Sequence, residues 1–369
     1  MKRKVLSALL CVSMVAAMAA GCGSSSGNTE ANATEAKTEA KTEAITEAKD
    51  DAAEAKTEAN DNATDAPEAD GAEDTADGGK LVVGFAQIGQ ESGWRVQRPC
   101  PSRHTQKKIQ IPLSFTSQMH SKKQENQIKA IKSFIEQGVD VIGLAPVVET
   151  GWDQVFAEAQ DAGIPVVLLD RRADVSEDLY TTFIGSDFIE EGKMAAQEMA
   201  KLIGEEGKIV ELEGTVGASA ATDRKTGFDE EMAANYPNIE IVASQTGDFT
   251  RAQGKEVMES FLKSNEDIKG VYAHNDDMAL GAIEAIKEAG LKPGEDIKVV
   301  SVDGVKGIFE AMAAGEANCT VECNPLLGPL FFETAAKLKA GEEVEKWVKS
   351  VDGVYTSDTA AEELPNRKY

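Results

Sequence analysis

Most of the chain repeats one pattern, in which a short apolar run ends in polar residues and an amphipathic helix follows. The apolar run 166–169 leads into Asp170 and Arg171, and the run 299–302 leads into Asp303. Strands that alternate with helices in this way indicate parallel sheets with right-handed crossovers. Ligands of such sheets bind beyond the carboxyl ends of the strands, so the polar residues at these ends are candidate ligand contacts.

Two successive sets of this pattern predict an α/β fold with two Rossmann-like lobes and a cleft between them. The 290 residues from position 80 onward are enough for two lobes with separate cores. Strands are predicted over 81–87, 109–116, 139–145, 165–170, 181–185, 207–212, 239–244, 269–274, 297–302 and 318–323. Helices are predicted over 124–137, 152–162, 189–203, 221–235, 251–265, 277–289, 305–314 and 328–340, and a tail completes the chain.

The first 22 residues have the features of an export signal. A basic start at positions 2–4 precedes a mostly small and apolar run over 5–20. The sequence Ala-Ala-Gly-Cys at 19–22 resembles a bacterial lipobox, in which Cys22 becomes the lipidated first residue. The alternative is an ordinary signal peptide with an incidental cysteine. No other stretch reaches the roughly 18 apolar residues of a membrane helix. We therefore expect the chain to be anchored by lipid alone, at the outer face of the cytoplasmic membrane.

Residues 23–79 are predicted to form a disordered acidic tether. They contain 16 acidic residues and four lysines, with Thr-Glu-Ala-Lys repeats over 34–49. Glutamates four residues apart would place like charges on one face of a helix, which opposes helix formation. Because few apolar residues are available for burial, disorder is the expected state.

Charge and cysteine content exclude several classes of function. The net charge is −26, whereas nucleic-acid binding requires a basic face, so no nucleic-acid partner is expected. No cluster of cysteine and histidine has the spacing of metal ligands, and neither a metal nor a cofactor is expected. Cys319 and Cys323 lie four residues apart in a predicted strand, which is too far for a disulfide.

Ordered motifs run through residues 81–365. They are Val83–Gln87, Glu91–Arg95, Lys123–Gln127, Ala145–Val148, Gly151–Trp152, Leu168–Arg171, Glu213–Ser219, Gly247–Arg251 and Tyr272–Met278. In their content and order the chain resembles the type I periplasmic sugar-binding proteins of ABC transporters, in the ribose/galactose group, and especially the galactofuranose-binding members. The resemblance implies two lobes joined by a three-crossing hinge, with crossings near 186–187, 323–324 and 352–353.

The resemblance also implies how the chain is divided and what it does. Residues 80–186 with 324–352 would form the N-terminal lobe, and residues 187–323 with 353–369 would form the C-terminal lobe. A monomer would close on one monosaccharide, galactofuranose-like or galactose-like, and then dock on an ABC permease. The alternative with the same fold is a sugar-sensing receptor for a signalling or chemotaxis partner.

The candidate contacts combine aromatic and charged groups, because a sugar has two nearly apolar ring faces and a polar edge. Trp94 and Phe249 are the candidate aromatic residues that stack on the two faces of the sugar ring. The alternative is that both are core aromatics. Asp170 can accept from two hydroxyls, and Arg171 can donate through its planar fork. For this pair the alternative is an internal salt bridge, but the resemblance places both residues on the ligand.

Three further contacts rest on the resemblance. Arg224 corresponds to an arginine of the second lobe that reaches the sugar, and its alternative is a solvated helix face. Arg95 directly follows Trp94 and is expected to contact the ligand. Glu322 lies at a predicted crossing, where the family has a late contact.

Asn275 and Asp303 end two predicted strands of the second lobe and complete the set. The asparagine amide offers both a donor and an acceptor, which suits a pair of adjacent hydroxyls. For both residues the alternative is a helix N-cap. Asp276 and Asp277 are assigned to N-capping, and His274 is assigned to packing.

The stretch 96–112 departs from the acidic composition around it. No acid occurs between Glu91 and Glu125, whereas seven basic residues do. Two prolines fall where the first crossover helix is expected, and proline in a helix interior costs about 3 kcal/mol. We interpret this stretch as a shifted reading frame, with a second slip near 117–122. The alternative is a basic insert that binds an anionic partner.

Two other functional classes fit the sequence less well. A glycosidase needs two carboxylates across one bond, but Asp170 and Asp303 fall in different predicted lobes, so no catalysis is expected. A sugar-dependent repressor would need an N-terminal helix-turn-helix, and the export signal and tether occupy that place.

Overall fold

A computed structural model of the chain describes residues 79–89, 94–95, 113–119 and 122–369, and of 113–119 it describes only the backbone. The predicted export signal with Cys22, the tether up to residue 78 and the basic stretch 96–112 lie outside the described residues.

Six strands form the sheet of the first lobe. They are β1 (Leu81–Gln87), β2 (Leu113–Met119), β3 (Val141–Leu144), β4 (Val166–Leu169), β5 (Thr182–Gly185) and β11 (Trp347–Lys349). Their order is β11-β5-β4-β3-β1-β2, and every neighbouring pair is parallel. The helices of this lobe are α1 (Gln124–Glu136), α2 (Asp153–Asp161) and α8 (Gly328–Lys339).

The two faces of this sheet bury separate apolar clusters, because side chains alternate along a strand. Leu144 belongs to a cluster with Phe134 of α1 and Phe156 of α2. Val141 belongs to the opposite cluster, with Phe331 of α8. A helix from late in the chain therefore covers one face of a sheet built mainly from the early strands.

The second lobe has a sheet of the same design. Its strands are β6 (Gly207–Glu213), β7 (Ile239–Thr246), β8 (Ile268–Ala273), β9 (Lys298–Asp303), β10 (Cys319–Glu322) and β12 (Val354–Thr356). Their order is β12-β10-β9-β8-β6-β7, and only β12 runs antiparallel to its neighbour. Its helices are α3 (Phe188–Ile203), α4 (Ser219–Asn235), α5 (Arg251–Ser264), α6 (Asp276–Glu288), α7 (Lys306–Ala313) and α9 (Ser357–Glu363).

In both sheets the strand order reverses beside the first strand of the lobe. In the first lobe β2 lies on one side of β1, and β3 and the later strands lie on the other side. In the second lobe β7 lies on one side of β6, and β8 and the later strands lie on the other side. In parallel sheets of this kind a ligand crevice opens at the reversal, beyond the carboxyl ends of the strands. The predicted α/β fold with two parallel-sheet lobes is confirmed.

The chain passes between the two sheets three times, after β5, after β10 and after β11. Ser186 of the first passage joins the other two. Its hydroxyl lies 3.5 Å from the Cys323 sulfur, 2.8 Å from the Ser350 hydroxyl and 3.1 Å from an Asp352 carboxylate oxygen. The three passages thus meet in one hydrogen-bonded group, which we call the hinge cluster (Ser186, Cys323, Ser350 and Asp352).

Sequence patterns missed the short elements of the tail. β11 and β12 have three residues each and pair only at sheet edges, so they carry little alternation of their own. The predicted strand 109–116 also differs, since β2 covers Leu113–Met119 in register with β1.

Two glycines allow α3 and α4 to pack with their backbones in contact. A Cβ atom at Gly192 of α3 would lie 2.2 Å from the carbonyl oxygen of Arg224. A Cβ atom at Gly227 of α4 would lie 2.0 Å from the carbonyl oxygen of Ile189. Backbone atoms cannot move aside as a flexible side chain can, so the helix pair depends on glycine at both positions.

Replacement of Gly227 by alanine should therefore destabilise the protein. We expect Gly227→Ala to lower the free energy of unfolding by about 1–3 kcal/mol, the range for overpacking. Urea unfolding would measure the change. Gly307→Ala is the matched control, because the nearest atom there is the flexible Cδ1 of Leu280 at 3.1 Å. Equal losses in both variants would contradict the role of close helix packing.

Candidate ligand-binding site

A cavity lies between the two lobes, where the strands of both sheets end. Its lining consists of Trp94, Arg95, Asp170, Arg171, Ala220, Arg224, Phe249, Asn275, Asp303 and Cys323. Eight of the nine residues predicted as ligand contacts are therefore brought together.

Several lining residues adopt a backbone conformation that is rare outside glycine. The φ angle is 70° at Asp170, 131° at Asp303 and 58° at Phe249. Such residues cluster at ligand sites because the surrounding structure must hold them in place. Gly214 makes room for the phenyl ring, since a Cβ atom there would lie 2.0 Å from Cζ of Phe249.

Each lining arginine is held by oxygen acceptors. Arg95 Nη1 lies 2.8 Å from Asp170 Oδ2, and Arg171 Nη1 donates to the carbonyl of Val147 at 3.2 Å. Buried charges need pairing or hydrogen bonds, and these contacts give Arg95 a carboxylate partner and Arg171 a backbone acceptor.

Arg224 of the second lobe is held from three sides. Its Nε donates to Glu191 Oε2 at 2.7 Å, its Nη1 donates to the carbonyl of His274, and its Nη2 lies 3.5 Å from Asp303 Oδ1. Burial raises the pKa of Asp303, and the arginine opposes this shift. Burial likewise raises the pKa of Glu191 to about 7, again against the arginine. The cavity lining contains three arginines and two aspartates, and Glu191 lies behind Arg224.

The two aromatic side chains line the cavity and also pack into the apolar cluster of the second lobe. Trp94 donates its ring N–H to the carbonyl of Cys323, at the hinge. The guanidinium carbon of Arg171 lies 5.3 Å from the centre of the Phe249 ring, and that of Arg95 lies 4.8 Å from the centre of the Trp94 ring. Both aromatic residues thus combine the packing role and the exposure to the cavity that the sequence left as alternatives.

The cap of α6 corrects one sequence assignment. Asn275 is the N-cap, since its side-chain oxygen accepts from the backbone N–H of Met278 at 3.0 Å. Asp276 is not a cap: its buried carboxylate accepts from Ser301, Thr320 and two backbone N–H groups at 2.6–2.8 Å. Asp277 pairs with Arg251 at 3.3 Å. Asp276 therefore ties α6 to the ends of β9 and β10 and supports the turn after Asp303.

Glu322 does not line the cavity. Its Oε1 accepts from Arg367 Nη2 at 2.7 Å and from the Tyr369 hydroxyl at 2.6 Å. Successive residues of an extended chain point to opposite sides. Since Cys323 lines the cavity, Glu322 at the end of β10 points away from it.

Sequence reasoning missed Glu191, Ala220 and Cys323. Glu191 had a detectable signal, because it lies in the buried stripe of α3 with Phe188, Gly192 and Ala195. An acidic residue at such a position needs a buried partner. Ala220 is small and unremarkable in sequence, and the place of Cys323 in the cavity depends on the hinge geometry.

The wall behind the cavity contains a buried polar group around His274. The Nδ1 atom of His274 accepts from the N–H of Gly214 at 3.2 Å, and Nε2 lies 2.9 Å from Glu211. Glu211 also contacts Lys225 and Ser244. This arrangement agrees with the packing role assigned to His274.

Contacts between the lobes close the rim of the cleft. Arg172 of the first lobe pairs with Asp223 of α4, and Lys122 pairs with Asp248 at 2.8 Å. The N–H of Glu149 donates to the carbonyl of Gly217 at 2.8 Å. These rim contacts join elements of the two lobes.

Glu211 should make the stability of the protein sensitive to acid. Burial raises its pKa, but hydrogen bonds from His274, Lys225 and Ser244 outweigh this and lower it to about 2, from 4.5. The stabilisation is therefore present above pH 4.5 and is lost as the pH falls toward 2. We expect Glu211→Gln to lower the free energy of unfolding at pH 7 by about 2–3 kcal/mol and to flatten its decline in acid.

Urea unfolding at pH 7, 5 and 3.5 would measure this effect. Glu240→Gln, at an exposed position of β7, is the control. A Glu211→Gln variant with the same acid dependence as the unsubstituted protein would contradict the prediction.

The described part of the chain shows neither a membrane helix nor a metal centre. None of its helices is long and apolar enough to cross a membrane. Nor do these residues include a group of three or more histidine, cysteine, aspartate or glutamate side chains that could hold a metal ion.

Comparison with known proteins gives consistent relatives. The family described as "periplasmic binding protein domain" matches residues 104–343. The galactofuranose-binding protein YtfQ of Escherichia coli (strain K12) is 51% identical over 294 residues, which cover 78% of this chain and 92% of that protein.

Two solved structures with bound sugars are similar to the same extent. A protein from Mycobacterium smegmatis in complex with β-D-fucofuranose is 52% identical with a TM-score of 0.74, covering 78% of this chain and 95% of that one. The binding protein of an arabinose ABC transporter from Shewanella sp. ANA-3, bound to α- and β-L-arabinofuranose, is 50% identical with a TM-score of 0.73 and the same coverage. Two of these three relatives are named as binding proteins. By its fold, its family match and these relatives, the chain belongs to the type I periplasmic binding protein family.

Proposed function

We propose that this protein is an extracytoplasmic solute-binding lipoprotein that captures one monosaccharide and delivers it to an ABC importer. The observation that carries the proposal is the interlobe cavity, where two aromatic rings, three arginines and two aspartates meet at the ends of both sheets. Relatives that are about half identical carry furanose sugars or a galactofuranose-binding name. A galactofuranose-like or galactose-like sugar is therefore the proposed ligand.

The chemistry of the lining suits a sugar held by its edge and its faces. Carboxylates accept hydrogen bonds from hydroxyls, and guanidinium groups donate to hydroxyl and ring oxygens. In this proposal Asp170 and Asp303 accept, Arg171 and Arg224 donate, and Asn275 supplies its amide. Trp94 and Phe249 pack against the ring faces, and Arg95 orients the carboxylate of Asp170.

Glu322 is not part of the proposed contact set. Its carboxylate is occupied by Arg367 and Tyr369 and lies outside the cavity lining. We instead assign Glu322 to the anchoring of the C-terminal residues beside the hinge.

The proposal includes the route by which the protein reaches its place of action. The basic and apolar start of the chain directs export, and Cys22 carries the lipid. The acidic tether then holds a monomeric binding unit at the outer face of the cytoplasmic membrane. A signalling partner in place of the importer is favoured by none of the residues that the structure describes.

Isothermal titration of the purified protein with a galactofuranoside, galactose, arabinose, ribose and glucose would test the ligand. We expect selective binding of the furanose-forming sugars, and Asp170→Asn should weaken it by about tenfold to a hundredfold because a charged acceptor is lost. Asp358→Asn, at an exposed position of α9, is the control. Absence of binding to all five sugars by the folded protein would contradict the proposed function.

The rim contacts should set how long the sugar stays bound. Asp223→Asn removes the ion pair with Arg172. The side chain of Asp223 is 12% exposed and that of Arg172 is 35% exposed. We expect the dissociation rate to rise about two- to fivefold with little change in the association rate, because only the closed form is affected. Stopped-flow fluorescence would measure both rates. Glu158→Gln breaks an ion pair within one lobe and serves as the control. An unchanged dissociation rate would contradict this role.

A further inference from the structure

We propose that Glu191 is a positioning residue for ligand binding, which holds Arg224 in the cavity and connects this arginine to the hinge cluster. The inference rests on the proposed function, because Arg224 is one of its ligand contacts. Glu191 itself does not line the cavity and is completely buried.

Glu191 and Arg224 form a close ion pair. Glu191 Oε2 accepts from Arg224 Nε at 2.7 Å, which leaves the two terminal nitrogens of the guanidinium for other partners. One of these donates to the carbonyl of His274, and the other lies 3.5 Å from Asp303. The long distance to Asp303 makes Glu191 the closer of the two carboxylate partners.

The helices that carry Glu191 and Arg224 pack with their backbones in contact. The residue after Glu191 is Gly192, and a Cβ atom there would lie 2.2 Å from the carbonyl oxygen of Arg224. The guanidinium carbon also lies 5.1 Å from the centre of the Phe188 ring, one turn earlier in α3. The first turns of α3 therefore pack directly against α4 at Arg224, and this helix contact keeps the backbone of Glu191 beside the arginine.

Glu191 also lies close to the hinge cluster. Glu191 lies five residues after Ser186, whose hydroxyl joins the three passages between the lobes. The second oxygen of Glu191, Oε1, is buried and has no hydrogen-bond partner within normal geometry among the described residues. The Cys323 thiol and the Asp352 carboxylate of the hinge cluster nevertheless lie near enough to influence the pKa of Glu191. The carboxyl group of Glu191 thus lies between Arg224 and the hinge cluster.

The charged and titratable groups around Glu191 come from every neighbouring element. They are Arg224 of α4, Tyr272 of β8, Asp303 of β9, Cys323 after β10 and Asp352 before β12. Burial raises the pKa of Glu191 to about 7, Arg224 opposes the shift and Asp352 adds to it. The ionised form holds the arginine more strongly than the neutral form. Ligand affinity should therefore increase as the pH rises through 7.

The first test uses Glu191→Gln, which keeps the shape of the side chain and removes its charge. We expect it to bind a galactofuranoside about tenfold more weakly at pH 8 and to lose the increase in affinity between pH 6 and pH 8. Glu190→Gln, at the adjacent and exposed position of α3, is the matched control. Unchanged affinity at both pH values in Glu191→Gln would overturn the proposal.

A double-mutant cycle separates positioning from a general effect on stability. If Glu191 acts through Arg224, then Glu191→Gln should change affinity much less in an Arg224→Gln background than alone. Equal losses in both backgrounds would mean that Glu191 acts by another route, which would overturn the proposal even if the variants are less stable.

A third measurement needs no sugar. The Nε–H resonance of Arg224 in the ligand-free protein should shift with pH around 7, and the shift should disappear in Glu191→Gln. If the unsubstituted protein binds none of the sugars but shows this shift, the proposed function fails while the Glu191–Arg224 coupling stands. A resonance that is insensitive to pH and to the substitution would overturn the coupling itself.

Discussion

The buried guanidinium group of Arg224 depends on acceptors that come from separate elements of the second lobe. Glu191 is supplied by α3, Asp303 by the end of β9, and the carbonyl of His274 by the loop after β8. Because an unpaired charge in the protein interior is very unfavourable, all three elements must be assembled around the arginine before this wall of the cavity is stable. The shape of the site in the second lobe is thus a consequence of charge pairing as much as of the packing of strands and helices.

The contacts that close the cleft differ in strength from those that build its walls. The pairs at the rim are partly exposed, as with Lys122 and Asp248 at 25% and 30%. Exposed ion pairs contribute little because water screens them. The pairs inside, such as Arg95 with Asp170, are almost completely buried. The pairs that line the cavity are therefore shielded from water, whereas the pairs at the rim are screened by it.

Local patterns predicted the parts of the site that depend on strand ends, and missed the parts that depend on distant elements. Asp170 and Asp303 follow apolar runs, and the parallel sheets place both at the cavity. Glu322 also ends a strand, but alternation along β10 turns its side chain away, and the sequence alone does not fix which face of a strand meets the cleft. A local pattern places Asp276 at a helix cap because it does not show the true partners of this residue, which lie 25 to 44 residues away. Glu191 could have been recognised as an acid within an apolar stripe.

The first lobe is completed by residues that are synthesised after most of the second lobe. Phe331 of α8 is buried against one face of its sheet, and β11 adds an edge strand next to β5. Until position 349 has left the ribosome, that face of the early strands has no cover, and its apolar side chains remain accessible to water and to other chains. The early part of the polypeptide therefore cannot reach its native state ahead of the rest. During translation the first lobe therefore remains incomplete until α8 and β11 are available to it.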